Sequence, residues 1–158
     1  MILADTTATE RAGARLAALV RGGDAIALIG DLGAGKTTLT SGLVAALGGE
    51  GAHSPTFSLV HQYTGGRLLV WHADLYRLER EAELIELGLD EVFGDRRGLV
   101  IVEWANNFPV MPHDHLRLEL RHAPTEHGDQ RELVATGTGP RGRELATAFD
   151  TRAARELG

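Results

Sequence analysis

One glycine-rich stretch restricts the fold of this chain more than any other part of its sequence. Gly30–Thr40 reads GDLGAGKTTLT, and Lys36 within it is the one lysine of a chain that otherwise carries fifteen arginines. The pattern Gly-x4-Gly-Lys-Thr is typical of a P-loop, in which backbone N–H groups surround a phosphate and the lysine reaches the β- and γ-phosphates. An apolar run at 25–30 precedes the loop, and a helical pattern at 38–47 follows it. The sequence therefore predicts a site for a nucleoside triphosphate, with the Thr37 hydroxyl directed to Mg²⁺.

The lysine itself supports this interpretation. A compact ammonium group on a flexible stem can reach phosphate oxygens as a point charge, whereas the planar fork of arginine has a different shape. A chain that uses arginine for all its other positive charges has kept a lysine at the position where that shape matters.

The bulk composition excludes several classes of protein. At 158 residues the chain is expected to form a single domain spanning 1–158. Its net charge of −6 disfavours a protein that binds nucleic acid by itself. It has no cysteine, no apolar run near the ~20 residues that a membrane-spanning helix needs, and no basic start followed by an apolar segment. We expect a cytoplasmic protein with no membrane association.

Strands and helices alternate along the chain, which predicts an α/β fold. The continuous apolar runs at 25–30 and 99–104 are typical of parallel strands buried on both faces. Thr64-Gly65-Gly66 separates two strand-like runs and indicates a hairpin, so we expect a mixed, largely parallel sheet flanked by helices. The remaining strands are predicted at 57–63, 67–75, 116–122 and 132–136, and the helices at 5–21, 38–47, 79–87 and 143–157.

The two later helices differ in what their sequences indicate. Leu78, Ala82, Ile85 and Leu89 recur at helical spacing, so we expect them to form the inner face of the helix at 79–87. The segment after about residue 137 reads as a helical C-terminal extension to which no role is assigned.

The identity of the nucleotide follows from what the chain lacks. Many P-loop proteins that select guanine use an Asn-Lys-x-Asp element, and a chain whose one lysine lies in the P-loop cannot contain it. The Asp-x-x-Gly pattern at Asp95–Gly98 comes before the apolar strand at 99–104, whereas a switch of that kind follows its strand. ATP is therefore favoured over GTP.

Two predicted strands end in a carboxylate, at Asp74 and at Glu103. In P-loop enzymes a carboxylate at the end of an apolar strand holds Mg²⁺, directly or through water, and either residue fits this pattern. Glu103 follows the more regular apolar run. Asp74 has the alternative role of capping the helix that follows it.

Two further positions have open interpretations. Ser54-Pro55-Thr56 lies where other P-loop proteins carry a switch that senses the γ-phosphate, but it is equally an ordinary turn before a strand. Trp104, beside Glu103, could stack near the nucleotide or pack in the core, whereas Trp71 is expected to pack.

Taken together, these motifs resemble a known protein family. The run GDLGAGKTTLTSGLVAALG is followed in order by SPTFSLVHQY, HADLYRL, ELGLDEVF and VIVEWA, and this series is similar to the TsaE (YjeE) family over about residues 5–120. The resemblance implies a small P-loop ATPase that acts with TsaB and TsaD in bacterial synthesis of N6-threonylcarbamoyladenosine in tRNA. TsaD and TsaB would perform the transfer, while this chain binds and hydrolyses ATP and meets tRNA only through the complex.

The resemblance also implies roles for individual residues. Thr37 and Glu103 would hold Mg²⁺, Asp74 would be needed for hydrolysis, and Thr56 would be the switch-like threonine. The catalytic set is then Lys36, Thr56, Asp74 and Glu103, and the nucleotide-binding set is Asp31, Leu32, Gly33, Ala34, Gly35, Lys36, Thr37, Thr38 and Trp104. The sequence departs from the family after Trp104, where Asn106-Asn107 replaces a Pro-Glu-type continuation.

Two other functions fit the same motifs. A small kinase would pass the γ-phosphate to a metabolite and would usually carry an arginine-bearing lid. A nucleotide-gated binding module would hydrolyse ATP only incidentally.

No arginine has a motif context that marks it as a catalytic finger, with Arg77 the nearest candidate, so we expect the isolated protein to hydrolyse ATP slowly and its partners to accelerate it.

Overall fold

The computed structural model describes residues 1–51, 59–123 and 130–157. These residues form one sheet with helices on both of its faces. The strands are β1 (Ile2–Leu3), β2 (Ala25–Ile29), β3 (Glu50–Gly51), β4 (Val60–Thr64), β5 (Leu69–Asp74), β6 (Gly98–Glu103), β7 (His115–His122) and β8 (Arg131–Thr138). The α-helices are α1 (Thr6–Ala17), α2 (Lys36–Ala46), α3 (Ala82–Glu86), α4 (Leu89–Val92) and α5 (Gly139–Leu157), and a 3₁₀ turn spans Ala105–Asn107.

The centre of the sheet is parallel and its margins are antiparallel. Across the described residues the strand order is β1-β8-β7-β2-β6-β5-β4-β3. Strands β7, β2, β6 and β5 run parallel, whereas β8 and β1 on one side and β4 and β3 on the other pair antiparallel. Every residue of β2 and β6 is buried, which is why both read as continuous apolar runs. The predicted α/β fold with a mixed sheet is confirmed.

Two antiparallel pairs predicted from the sequence are also present. Strands β4 and β5 pair across the turn that contains Gly65, although β5 begins at Leu69 and not at 67. Strand β4 begins at Val60, and the first part of the predicted strand at 57–63 lies outside the described residues. Strand β8 pairs with β7 along its whole length.

Each face of the sheet has its own hydrophobic cluster. Helices α1, α2 and α5 cover one face, where Leu16, Leu43 and Phe149 are fully buried. The segment from Leu75 to Val92, with α3 and α4, covers the other face together with Trp71 and Met111. Alternation along the central strands therefore decides which residues face α2 and the P-loop. Among the described residues, no helix combines the length and apolarity needed to cross a bilayer.

Helices α1 and α2 pack unusually closely because glycines lie at their contact. A Cβ atom added to Gly13 would come within 2.1 Å of the Leu39 carbonyl oxygen, and one added to Gly42 within 2.2 Å of the Glu10 carbonyl oxygen. Any larger side chain at either position would push the P-loop helix away from α1.

The C-terminal helix begins earlier than its sequence predicts and is joined to the core. Helix α5 begins at Gly139, ahead of the predicted start at Arg143, and the Asp114 side chain accepts N–H bonds from Arg141 and Gly142 at 3.2 and 2.7 Å. A cap from a residue so distant in sequence leaves no local signal. Leu145 and Phe149 of α5 are buried in the first hydrophobic cluster.

The helix predicted at 79–87 was wrong in its extent and in two of the four residues of its inner face. The segment forms two short helices, α3 and α4, because Gly88 adopts a left-handed conformation with φ 68° that turns the chain between them. As a result Ile85 is 82% exposed and Ala82 is exposed as well, while Leu78 and Leu89 are buried.

Candidate functional site

The P-loop connects β2 to α2 and has the backbone that its glycines predict. Gly33 and Gly35 lie in the left-handed region with φ 78° and 107°, where a side chain would be strained. Helix α2 begins at Lys36 directly after Gly35, two residues before its predicted start. Ala34 is buried and its N–H donates to the Asp31 carbonyl oxygen at 3.0 Å, which closes the loop into a tight turn. The first N–H groups of α2 have no partners within the helix, so its N-terminus favours an anion.

Lys36 lies folded against this loop. Its side chain is buried, and Nζ donates to the carbonyl oxygens of Gly30 and Asp31 at 2.5 and 3.0 Å. Nζ also lies 4.4 Å from the centroid of the Trp104 ring, within the range of a cation–π contact. Burial lowers the pKa of Lys36, while the negative charges of Glu103, Asp74 and Asp31 oppose that shift. Both strand-end carboxylates therefore act electrostatically on the P-loop lysine.

Trp104 closes the side of the loop next to β6. It is the one described non-glycine residue in the left-handed region, with φ 60° and ψ 30°, a conformation that costs about 1–2 kcal/mol. Its N–H donates to the Leu28 carbonyl oxygen at 3.1 Å, and its ring lies 5.0 Å from that of Tyr76. The half-buried ring is thus fixed over Lys36 by a strained backbone. Trp71, in contrast, is buried in the second hydrophobic cluster, as predicted.

Asp74 and Glu103 are direct neighbours at the carboxyl ends of β5 and β6. The parallel register pairs their Cα atoms, and both side chains lie on the face of the sheet that α2 covers. Glu103 is buried, whereas Asp74 is half-buried and accepts the Tyr76 N–H at 3.0 Å. The capping alternative for Asp74 is excluded, since α3 begins only at Ala82.

His72 is a site residue that the sequence analysis missed. Its Nε2 atom lies 2.8 Å from Oε2 of Glu103, and both side chains are buried. Its Nδ1 atom is also buried and has no hydrogen-bond partner among the described residues. The ring stacks on Tyr63 at 6.3 Å, and partial burial together with the charge of Glu103 raises the pKa of the Tyr63 hydroxyl. One sequence signal could have indicated His72. Side chains alternate between the two faces of a sheet along a strand, so His72 lies on the same face of β5 as Asp74.

Arg131 is a second residue that the sequence did not indicate. It lies at the start of β8, and its Nη2 atom donates to the Gly33 carbonyl oxygen at 3.3 Å. Because β8 pairs antiparallel with β7, the start of β8 lies at the P-loop end of the sheet. No local sequence pattern predicts this position.

The residues around the loop fit a magnesium ion. Thr37 is exposed at the N-terminus of α2, and Asp74 and Glu103 supply carboxylates that act on the charge of Lys36. Mg²⁺ prefers hard oxygen ligands, usually one or two carboxylates together with waters and substrate phosphates. A donor set of one hydroxyl and two carboxylates beside a phosphate loop matches that preference. Thr56 lies outside the described residues, and its predicted role stays a prediction.

Comparison with known proteins gives the same family throughout. Residues 3–133 match the family described as "Threonylcarbamoyl adenosine biosynthesis protein TsaE". The chain is 42% identical over 135 residues to a tRNA threonylcarbamoyladenosine biosynthesis protein TsaE of Streptomyces coelicolor, covering 82% of this chain and 90% of that one. It is 41% identical over 127 residues to the protein of that name from Bacillus subtilis, covering 79% and 77%.

A solved structure extends the likeness to the fold. The crystal structure of Bacillus subtilis YdiB superposes with a TM-score of 0.78 at 30% identity, covering 97% of this chain and 94% of that one. The P-loop, the paired strand-end carboxylates and these relatives agree, and the chain belongs to the TsaE family.

Proposed function

We propose that this protein is the ATP-binding and ATP-hydrolysing subunit for N6-threonylcarbamoyladenosine modification of tRNA, and that it acts in the cytoplasm with TsaB and TsaD. The observation that supports this most directly is the P-loop, with Lys36 buried against its carbonyl oxygens, together with the pairing of Asp74 and Glu103 at the ends of two adjacent strands. A phosphate loop with two carboxylates beside it is the arrangement that phosphoryl transfer from a nucleoside triphosphate requires.

Each residue then has a defined task. Backbone N–H groups of Asp31–Thr38 hold the β-phosphate, and Lys36 exchanges its contacts with the loop carbonyl oxygens for phosphate oxygens. Thr37 and Glu103 would hold Mg²⁺, which supplies positive charge to the β- and γ-phosphates. Asp74, the more exposed of the two carboxylates, orients the attacking water and accepts its proton. The water oxygen bonds to the γ-phosphorus as the bond from that phosphorus to the ADP oxygen breaks.

Trp104 and Thr56 complete the proposed site. The indole ring of Trp104 covers Lys36 and shields the ammonium group from water, which strengthens its interaction with phosphate. Thr56, by its resemblance to the family's switch-like threonine, would sense the γ-phosphate. tRNA would meet the protein only through the complex, in keeping with the chain's net charge of −6.

The geometry favours hydrolysis over the kinase alternative. A kinase lid would have to bring arginines over the transferred phosphate, and the segment between β5 and β6 holds two short helices that pack on the second hydrophobic cluster. Arg97 of this segment pairs with Asp95 at 2.7 Å. An acceptor test separates the two functions, because a kinase forms a phosphorylated metabolite and an ATPase releases only phosphate.

Reconstitution tests the proposed function. The protein is combined with purified TsaB, TsaD, tRNA, ATP and the threonylcarbamoyl donor, and modified adenosine is measured by mass spectrometry. We expect Lys36→Ala to abolish ATP turnover and sustained modification, while Arg11→Ala on the exposed face of α1 serves as the matched control and changes neither. Modification that proceeds equally well with Lys36→Ala would contradict the proposal. An Asp74→Ala variant that lacks hydrolysis but sustains full modification would favour the binding module instead.

A further inference from the structure

A groove lined by apolar and acidic side chains lies between α3–α4 and the segment that follows the 3₁₀ turn, and its lining includes no P-loop residue. It encloses about 380 Å³. Leu84, Ile85 and Leu89 contribute its apolar wall on one side and Val110 on the other, and Glu81 and Asp90 stand at its rim. Ile85 is 82% exposed, the highest value among the large hydrophobic residues that the structure describes as exposed. Such a side chain beside a groove is typical of an interaction surface.

The charge around this groove is predominantly negative. Residues 79–95 contain seven acidic residues and one arginine, a net charge of −6, which equals that of the whole chain. The rest of the protein is therefore neutral, and the acidity of the chain is concentrated in this one segment. Glu83 is engaged in capping the N–H groups of Glu79 and Arg80, whereas Glu81 and Asp90 lie exposed at the groove.

We propose that this groove, defined by Glu81, Leu84, Ile85, Leu89, Asp90 and Val110, binds a basic amphipathic segment of a partner protein. The apolar wall takes the hydrophobic side chains of the segment, and Glu81 and Asp90 pair with its lysines or arginines. The same acidity repels nucleic acid, so tRNA is not the occupant. That the partner is TsaB or TsaD rests on the proposed function, whereas the chemistry of the groove does not.

The groove also has a direct connection to the catalytic end of the sheet. Pro109 and Val110 follow closely after Trp104, whose strained backbone opens the 3₁₀ turn Ala105–Asn107. A segment bound in the groove would contact Pro109 and Val110, which belong to the stretch of chain that follows Trp104. Docking there therefore bears on the residue that covers Lys36.

A defined peptide tests the groove independently of any named partner. The probe is a fluorescein-labelled helical peptide of alternating leucine and lysine pairs, and its binding is measured by fluorescence polarisation. We expect Ile85→Ser and the double variant Glu81→Arg/Asp90→Arg each to weaken binding by at least about tenfold. The melting temperature and the ATP turnover of the isolated protein should stay unchanged, because these side chains are exposed and lie outside the P-loop.

Matched controls locate the effect. Glu10→Arg/Asp150→Arg reverses two exposed charges on α1 and α5, and Ile2→Ser removes another exposed apolar side chain. These should bind the peptide like the wild-type protein, and a peptide with glutamate in place of lysine should not bind. Absence of binding to the wild-type protein, or equal loss in the controls, overturns the proposal. Self-association that Ile85→Ser abolishes, seen by sedimentation, would overturn it in favour of a second copy of this chain.

A second measurement separates this proposal from the proposed function. Binding of each variant to the purified TsaB–TsaD pair is measured at low and high salt. Weaker, less salt-dependent binding by the groove variants identifies the partner as one of these proteins. Failure of the wild-type protein to support tRNA modification would contradict the proposed function and leave the peptide result standing.

Discussion

The Nε2 atom of His72 lies 2.8 Å from Oε2 of Glu103, so a buried histidine holds the carboxylate that is proposed to bind magnesium. Both side chains are almost fully buried, and the pair lies on the sheet face that α2 covers. Partners of this kind fix the orientation of a carboxylate ligand and typically change metal affinity about 10–100-fold when they are removed. We therefore expect His72 to act through Glu103 as a positioning residue.

We expect His72→Gln to raise the Mg²⁺ concentration for half-maximal ATP turnover about tenfold, because glutamine does not hold Glu103 in the same orientation. Binding of ADP without Mg²⁺ should stay unchanged, since the phosphate loop is intact. Mn²⁺ binding in the presence of ADP, followed by electron paramagnetic resonance, provides a readout independent of turnover. His61→Gln on the neighbouring strand is the matched control, because that ring is exposed. Equal metal affinity in His72→Gln and the wild-type protein would remove the positioning role.

The two strand-end carboxylates should respond differently to removal of their charge. Glu103→Gln is expected to raise the Mg²⁺ requirement strongly and to leave nucleotide binding without metal nearly unchanged. Asp74→Asn is expected to lower the rate of hydrolysis with little effect on metal affinity, because Asp74 is the more exposed carboxylate and contacts the Tyr76 N–H. Titration of Mg²⁺ against ATP turnover, together with isothermal titration of ADP, distinguishes the two. The reverse pattern would exchange the roles assigned to the two residues.

The fluorescence of Trp104 should report nucleotide binding. Its half-buried ring lies 4.4 Å from the ammonium group of Lys36, whereas Trp71 is buried within the second hydrophobic cluster, against which the Trp104 ring also packs. Phosphates that draw Lys36 away from the loop carbonyl oxygens change the charge next to the indole, and the emission should shift on addition of ADP. Trp104→Phe should lose this signal and Trp71→Phe should keep it. A full signal in Trp104→Phe would assign it to Trp71.

The sequence predicted those parts of the site that depend on local pattern. Gly33 and Gly35 adopt the left-handed backbone conformations that the loop needs. The strands were predicted from apolar residues at every second position or from continuous apolar runs. The sequence also indicated Asp74 and Glu103 as two candidate metal-holding carboxylates at strand ends, although not which contacts the metal. The parallel pairing of β5 with β6 that makes them neighbours is a finding of the structure.

What the sequence did not predict depends on pairs that are distant along the chain. The contacts of His72 with Glu103 and of Arg131 with Gly33 follow from sheet register, which no local pattern encodes. The start of α5 depends on a cap from Asp114. The exposure of Ile85 depends on the turn at Gly88, where helical spacing alone predicts one continuous helix.

A distant ion pair gives the C-terminal helix a measurable share in stability. Arg141 of α5 donates two hydrogen bonds to the buried carboxylate of Asp24 at 2.9 and 2.8 Å and a third to the Leu19 carbonyl oxygen. Asp24 raises the pKa of Arg141 through these bonds. Asp24→Asn should lower the free energy of unfolding by about 2–3 kcal/mol, because it leaves a mostly buried guanidinium with the exposed Glu144, at 3.2 Å, as its remaining described ion-pair partner.

Urea denaturation measures this loss, and ADP affinity should stay at its wild-type value. Asp95→Asn is the control, since its partner Arg97 is exposed and that pair should contribute nothing measurable. Equal stability of Asp24→Asn and the wild-type protein would show that the ion pair between Asp24 and Arg141 contributes nothing to the stability of the fold.

The last prediction concerns the rate of ATP hydrolysis by the isolated protein. Phosphoryl transfer needs positive charge at the developing transition state, and an arginine finger that supplies it is worth about 10³–10⁵ in turnover. Arg77, the candidate indicated by the sequence, is exposed and lines a groove with Glu83 and Glu86, and Arg131 is directed to the backbone of Gly33. Neither arrangement provides an arginine finger over the γ-phosphate.

We therefore expect turnover well under the ~10 s⁻¹ typical of enzymes, and acceleration when TsaB and TsaD complete the site. Steady-state phosphate release is measured for the lone protein and for the mixture, with Lys36→Ala as the blank for contaminating ATPases. Equal rates per site in the two samples would show that the partners do not control hydrolysis.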